Sequence, residues 1–240
     1  MIDTNKKKRI VKIILLVLLF SLTISLVLCY FLIWKKKSAK EIINDARKSV
    51  VELKSQTGDD LINYGSAIFI LDDSTLVSNA HLVTYKQNEI YIEYESFQIR
   101  FAFENDYRDV SLIKYDLDKD ISFLKLNDLT DVNFKKIETE YKIEAGEKVY
   151  AIGNALNHGL SITQGIVSLV SVNISYENNI RNVIQCDLQI SEGNSGGALL
   201  NEKGKLIGIT TFRLKDDFGN IIYGLAFSIP INVVIDYLNE

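Results

Sequence analysis

The first pattern along the chain is a run of 22 uncharged, mostly apolar residues from Ile13 to Trp34. Lys6-Lys7-Lys8-Arg9 and Lys12 precede it, and Lys35-Lys36-Lys37 follow. At ~1.5 Å per residue such a helix reaches roughly 33 Å, enough to cross a hydrocarbon core. Tyr30 and Trp34 near its end suit an interfacial anchor. The run is longer than the apolar region of a cleaved leader and exits through Tyr-Phe-Leu-Ile-Trp rather than small residues. Bulky Leu28 before Cys29, with more apolar residues after it, disfavours a lipoprotein. The expectation is a basic tail (1–12), an uncleaved transmembrane helix (13–34), a juxtamembrane linker (35–44) and a body (45–240).

Downstream the periodicity shortens. Charges interleave with Ile42, Ile43, Val50, Val51 and Leu53 in a short helix running into a strand. Strands are then expected at 65–71, 76–80, 89–95, 97–103, 109–115, 121–126, 147–152, 160–163, 165–173, 181–186, 197–200, 205–213 and 222–229. Phe97 to Phe103 alternates with period two, as a half-buried strand does. Turn chemistry separates the strands at Asp72-Asp73-Ser74, Ala145-Gly146-Glu147, Asn201 to Gly204 and Asp216 to Asn220. Many short, evenly spaced strands indicate an all-β sandwich or barrel. Val233, Val234, Tyr237 and Leu238 then fall at helical spacing.

Composition narrows the function. Hydrophobic residues at 47% and charged residues at 24% are ordinary globular values. Two cysteines and two histidines exclude a disulfide scaffold and a multi-His or multi-thiolate zinc site, so no metal and no cofactor is expected. The net charge of −4 divides into +5 over residues 1–35 and −9 over the rest. An acidic body argues against nucleic-acid partners, and against anionic lipid beyond the anchor.

Eight of the thirteen glycines lie between 153 and 208, and three frame Gly193-Asn194-Ser195-Gly196-Gly197. A nucleophilic serine needs a sharp turn that projects its hydroxyl and backbone N–H groups that converge where an oxyanion forms. Glycine permits the backbone angles for both, although Gly-rich connections between strands are also common. Such a serine needs a base. His81 follows the apolar strand Leu76 to Ala80, whereas His158 lies in a loop-like stretch. An orienting acid is expected at a strand end. Of Asp116, Asp118 and Asp120, only Asp120 abuts a buried run, Ile121 to Leu126.

The order His81, Asp120, Ser195 resembles that of chymotrypsin-fold serine proteases rather than subtilisins or α/β-hydrolases. The chain is more narrowly similar to the HtrA (Deg) type. The matching stretches are Lys48 to Leu53, Gly65-Ser66-Ala67, Ser78-Asn79-Ala80-His81, Asp120 to Lys125, Gly153-Asn154, Ser161 to Ser168, Ile184 to Asp187, Gly193 to Gly197, Leu206 to Ile209, and Gly224 to Asn232. They span about residues 45–235 in the family's order. Ala155 and Ala67 depart from its usual proline and glycine. Family members usually continue into PDZ domains, whereas this sequence stops ten residues after Pro230, so the resemblance does not carry over peptide-triggered activation or PDZ-based substrate delivery. Asn194 stands where pancreatic-type relatives carry an aspartate that pairs with a new N-terminus, so zymogen cleavage is not expected either.

The resemblance implies two six-stranded β-barrels with a short C-terminal helix. It makes Ser195 the nucleophile, His81 the base and Asp120 its orienting acid. Gly193 and Ser195, with Asn194, would form the oxyanion hole, and misfolded or exported polypeptides would be the substrates. Homo-oligomerisation is left open. Gln189, Ile190, Ile209, Thr210 and Thr211 are the expected primary pocket, with cleavage after small or medium aliphatic residues and disfavoured after Glu. Glu192 is expected at the pocket rim. Nearly equal basic flanks do not decide orientation, and long downstream domains translocate largely regardless of charge, so an outside body is allowed; the resemblance implies one on the outer side of the cell membrane. A catalytically silent or chaperone-like binding module on the same fold is the alternative.

Overall fold

A computed structural model describes residues 4–33, 38–72, 74–130, 132, 136–176, 179–216 and 218–240. Trp34, the lysines at 35–37, Asp73 and Asp217 lie outside the described residues. The chain divides into two units, residues 1–36 and 37–240. The first unit is one helix, α1 (Thr4–Ile33). Its stretch Lys7–Phe31 is long and apolar enough to cross a membrane, and none of it is buried.

The second unit opens with α2 (Ala39–Ala46), started by a capping box in which Ser38 and Glu41 satisfy each other's backbone amides. Then come β1 (Val50–Thr57), β2 (Leu61–Phe69) and β3 (Thr75–Ser78). A short ribbon of β4 (Thr84–Gln87) and β5 (Ile90–Glu93) follows, and β6 (Ser96–Phe101), β7 (Arg108–Asp116) and β8 (Ile121–Leu126) complete the first half. The second half holds β9 (Lys148–Asn154), β10 (Leu160–Tyr176), β11 (Asn179–Cys186), β12 (Ala198–Asn201), β13 (Leu206–Lys215) and β14 (Ile221–Pro230), and ends in α3 (Ile231–Asn239). Hydrogen bonding closes two barrels of six strands, in the orders β1-β2-β3-β8-β7-β6 and β10-β11-β14-β13-β12-β9.

Period two sorts the core. In β2, Ala67 and Phe69 fill the first barrel, while Ile68 faces a cluster shared between the barrels. In β12, Leu199 points into the second barrel, while Ala198 and Leu200 join that shared cluster. Strands buried on both faces explain why several segments read as continuous apolar runs rather than clean alternations. Ile42 and Ala46 of α2 and Val234 and Tyr237 of α3 pack into the same shared cluster. The strands expected at 160–163 and 165–173 are one strand, because Gly165 continues the ladder opposite Val149. A Cβ there would stand 1.7 Å from the Asp187 carbonyl oxygen, so the glycine permits a close backbone crossing rather than a break. The polar segment β4 gave no periodic signal and was not anticipated.

Candidate active site

The end of β3 leads through Asn79 into a 3-10 turn, Ala80–Leu82, that presents His81. A second tight turn, closed by the Lys119 amide on Asp116 Oδ1 at 2.8 Å, delivers Asp120 at the start of β8. Asp120 takes a left-handed backbone, φ 58°. The Asn79 side chain holds its carbonyl at 2.9 Å. Only Asn, Asp and Gly visit this region readily, so turn and acid are matched.

The Asp120 carboxylate is buried and heavily bonded. His81 Nδ1 lies 2.9 and 3.0 Å from its two oxygens, and the His81 amide donates to Oδ1 at 3.1 Å. Thr211 Oγ1 donates to Oδ2 at 2.5 Å. From β11, Arg181 brings its Nη1 to 3.7 Å from Oδ2, with Nε on the Asp118 carbonyl and Nη2 on the Leu117 carbonyl, both at 3.0 Å. Burial pushes the Asp120 pKa up. The charge and hydrogen bond of His81, the Arg181 guanidinium and the Thr211 hydroxyl outweigh it and hold the carboxyl below its ordinary value. His81 Nδ1 thus faces an ionised acceptor, which leaves Nε2 as the basic nitrogen, while the side chain remains 40% exposed to the cleft.

Ser195 sits on a loop whose carbonyls are each tied away. Gly193 O accepts from Ser66 Oγ at 2.8 Å, Asn194 O accepts from Thr210 Oγ1 and from the Gly197 amide, and Ser195 O accepts from the Ser66 amide at 2.9 Å. Ser66, fully buried between the barrels, also receives the Asn154 amide on its hydroxyl at 2.8 Å. Among the described residues, the Gly193 and Ser195 amides have no protein acceptor. Gly193 adopts φ +87°, and a Cβ on it would lie 2.0 Å from Asn154 O, so no larger residue fits. The Ser195 hydroxyl itself donates to Thr211 O at 2.7 Å. His81, Gly193 and Ser195 together face a cleft of about 470 Å³ that is also bordered by Tyr64, Leu156 and Glu192.

His158 does not line that cleft. Asn194, expected as a third oxyanion donor, is used otherwise: its amide donates to Ser191 O at 3.1 Å, and its side chain is buried. The expected pocket divides. Gln189 and Ile190 border a small cavity with Arg213 and Gly224. Ile209, Thr210 and Thr211 do not. Ile209 points into the shared core, Thr210 fastens the nucleophile loop, and Thr211 serves Asp120 and Ser195. Glu192 borders the catalytic cleft instead. Sequence reasoning missed Ser66, Arg181 and Arg213. Arg181 had a readable signal, since its place two residues before Val183 puts both on one buried face of β11.

This arrangement defines the class. A trypsin-like peptidase domain matches residues 65–209, and the chain belongs to that family. Within it the chain is of the HtrA (Deg) type. It is 34% identical over 180 residues to serine endoprotease DegS of Haemophilus influenzae, covering 74% of this chain and 50% of that protein. It is 36% identical over 172 residues to a probable periplasmic DegP-like serine endoprotease of Buchnera aphidicola, covering 71% and 34%. A solved HtrA-type protease, AlgW with a tripeptide, superposes with a TM-score of 0.72 at 25% identity, covering 85% of this chain and 63% of that one. The chain spans half or less of the length of these two curated relatives.

Proposed function

We propose that this protein is a serine endopeptidase that cleaves misfolded or exported polypeptides, tethered to the outer face of the cell membrane by residues 13–34. The observation that carries the chemistry is the pairing of a buried, ionised Asp120 with His81 Nδ1, beside a serine loop with two unengaged amides. Ser195 attacks the scissile carbonyl. For this its hydroxyl has to turn from Thr211 O toward His81 Nε2. His81 takes the proton and returns it to the leaving amine, while Asp120 fixes the tautomer and stabilises the imidazolium. The Gly193 and Ser195 amides receive the oxyanion; each such donor is worth roughly 3–4 kcal/mol in barrier. Thr211 O, freed by that rotation, becomes available to a substrate amide.

The names of the relatives support the reading: the DegS relative is called a serine endoprotease, and the DegP-like one a probable periplasmic serine endoprotease. Tethering rests on the unburied apolar span of α1. The full chain in detergent micelles should hydrolyse denatured casein, and Ser195→Ala should not; equal rates for the two would reject the assignment. Alkaline carbonate washing of membranes should leave the protein in the pellet, and release into the supernatant would reject the tether.

A further inference from the structure

The small cavity beside the nucleophile loop carries a feature that the sequence did not reveal. It is bordered by Leu188, Gln189 and Ile190 ahead of Ser195, by Arg213 on β13, and by the stretch of β14 from Ile221 to Leu225, which is aliphatic except at Tyr223 and Gly224. Two of its walls are tied to the nucleophile. Gln189 and Ile190 belong to the segment that ends in Ser195. Arg213 follows by two positions Thr211, whose carbonyl touches the Ser195 hydroxyl. An aliphatic residue was expected to fill this place. The free space of the cavity is about 10 Å³, roughly one water, so any substrate side chain, aliphatic or acidic, enters it only as Arg213 and its neighbours give way. Half-buried Arg213 holds its Nη1 on the Ile190 carbonyl at 2.9 Å across it.

We propose that Arg213 is a specificity determinant that selects a carboxylate, Glu or Asp, as the substrate residue before the cleaved bond. The inference rests on the endopeptidase reading above. Arg213 is the one residue bordering the cavity that is charged at neutral pH, among the described residues. A guanidinium presents five N–H donors in a planar fork, and the bond to Ile190 O engages one end of it. A neutral carbonyl is a weaker acceptor than a carboxylate, whose charge-assisted and often bidentate bonds are about twice as strong. An aliphatic side chain would strip water from the guanidinium and give nothing back. A carboxylate takes up the free donors and neutralises the charge. Gln189 adds a neutral amide at the same border. An acid behind this wall, Asp187, stands beyond Gly224, with Oδ1 3.3 Å from where a Cβ on that glycine would sit. It does not border the cavity, and no ion pair joins it to Arg213 among the described residues.

The test compares kcat/KM for matched peptides carrying Glu, its neutral isostere Gln, or Leu before the cleaved bond, using the full chain in detergent micelles. The wild type should favour Glu over Gln on the order of tenfold or more, since a site built for a polar partner discriminates against its absence. Arg213→Gln should bring that ratio close to one, and Arg213→Lys should retain part of it. Equal rates for Glu and Gln in the wild type, a preference for Leu, or a ratio unchanged in Arg213→Gln would overturn the proposal. Labelling of Ser195 by a peptide phosphonate separates this failure from failure of catalysis itself. A labelled enzyme that cleaves after Leu overturns only the role of Arg213, whereas an unlabelled, inert protein removes both readings.

Discussion

Replacing Arg181 by Met keeps much of the side-chain volume and removes one buried positive charge. Two consequences follow from the geometry. Arg181 Nη1 lies 3.7 Å from Asp120 Oδ2, and breaking a buried pair costs roughly 3–5 kcal/mol because the remaining ion is left without compensation. Asp120 keeps donors from His81 and Thr211, so a loss near the lower end of that range is expected in urea unfolding. The second consequence is kinetic. The guanidinium also repels a proton on His81 across the shared carboxylate. Two unit charges about 7 Å apart, the order of separation between cations that share one carboxylate, feel a repulsion of about 0.5–2 kcal/mol at an effective dielectric between ~20 and ~80. At 1.36 kcal/mol per pH unit, its loss raises the proton affinity of the imidazole by roughly 0.4–1.5 units. The neutral imidazole is the base, so the acid limb of kcat/KM should move to higher pH by that amount. Arg181→Lys, which retains the charge, should move it less. Rates measured from pH 5 to 9 on a peptide substrate decide the matter. A limb that stays in place while the rate merely falls, or one that moves to lower pH, would refute the electrostatic reasoning and leave Arg181 a packing residue.

Asp120→Asn should lower kcat by about 10⁴-fold by favouring the wrong imidazole tautomer, while His158→Ala should leave it within a few-fold; comparable losses in both would contradict the assignment of the base. Ser66→Ala strips the donor from Gly193 O and the acceptor from Asn154 N–H and should cost roughly 1–3 kcal/mol in unfolding free energy. It should also slow turnover, because the loop carrying both oxyanion amides is fastened there; normal turnover with reduced stability would confine Ser66 to the scaffold. Acid unfolding should show the Asp120 contribution with a defined sign. Its carboxyl is held below the ordinary value in the folded state, so its stabilisation is complete above the unfolded pKa of ~3.9 and is lost as pH falls below it. Asp120→Asn should therefore flatten the loss of stability below about pH 4, and an unchanged slope there would argue against a depressed carboxyl.

Much of the fold is visible in the chain because its two periods differ so clearly. The apolar run from Ile13 to Trp34 has no break for a strand, and Phe97 to Phe101 alternates as a half-buried strand does, whereas Phe103, expected to continue it, lies exposed in the turn after β6. The runs around Ile68 and Leu199 are harder to read, since both faces of those strands are buried and alternation disappears. Gly165 illustrates a second limit: a glycine inside a strand and a glycine at a turn look alike until the Asp187 carbonyl is seen against it. At the site, His81, Asp120 and Ser195 are legible because each stands at a strand end or on a glycine loop. Thr211 is not, because its neighbours suggest a pocket wall whereas β13 turns its hydroxyl onto Asp120. Arg213 escaped for the converse reason. A lone arginine near a strand end reads as a solvated charge, and only the register of β13 against β14 brings it to the Ile190 carbonyl.

The central claim is that Ser195 is a nucleophile activated by His81. A biotinylated diphenyl phosphonate peptide, incubated with the full chain and followed by tryptic mass mapping, tests it most directly. A single adduct on Ser195 is expected, absent from Ser195→Ala, with formation strongly slowed in His81→Ala and falling off as the pH is lowered toward 5. No adduct on the folded protein, an adduct on another residue, or labelling of Ser195 at an undiminished rate in His81→Ala would contradict the account.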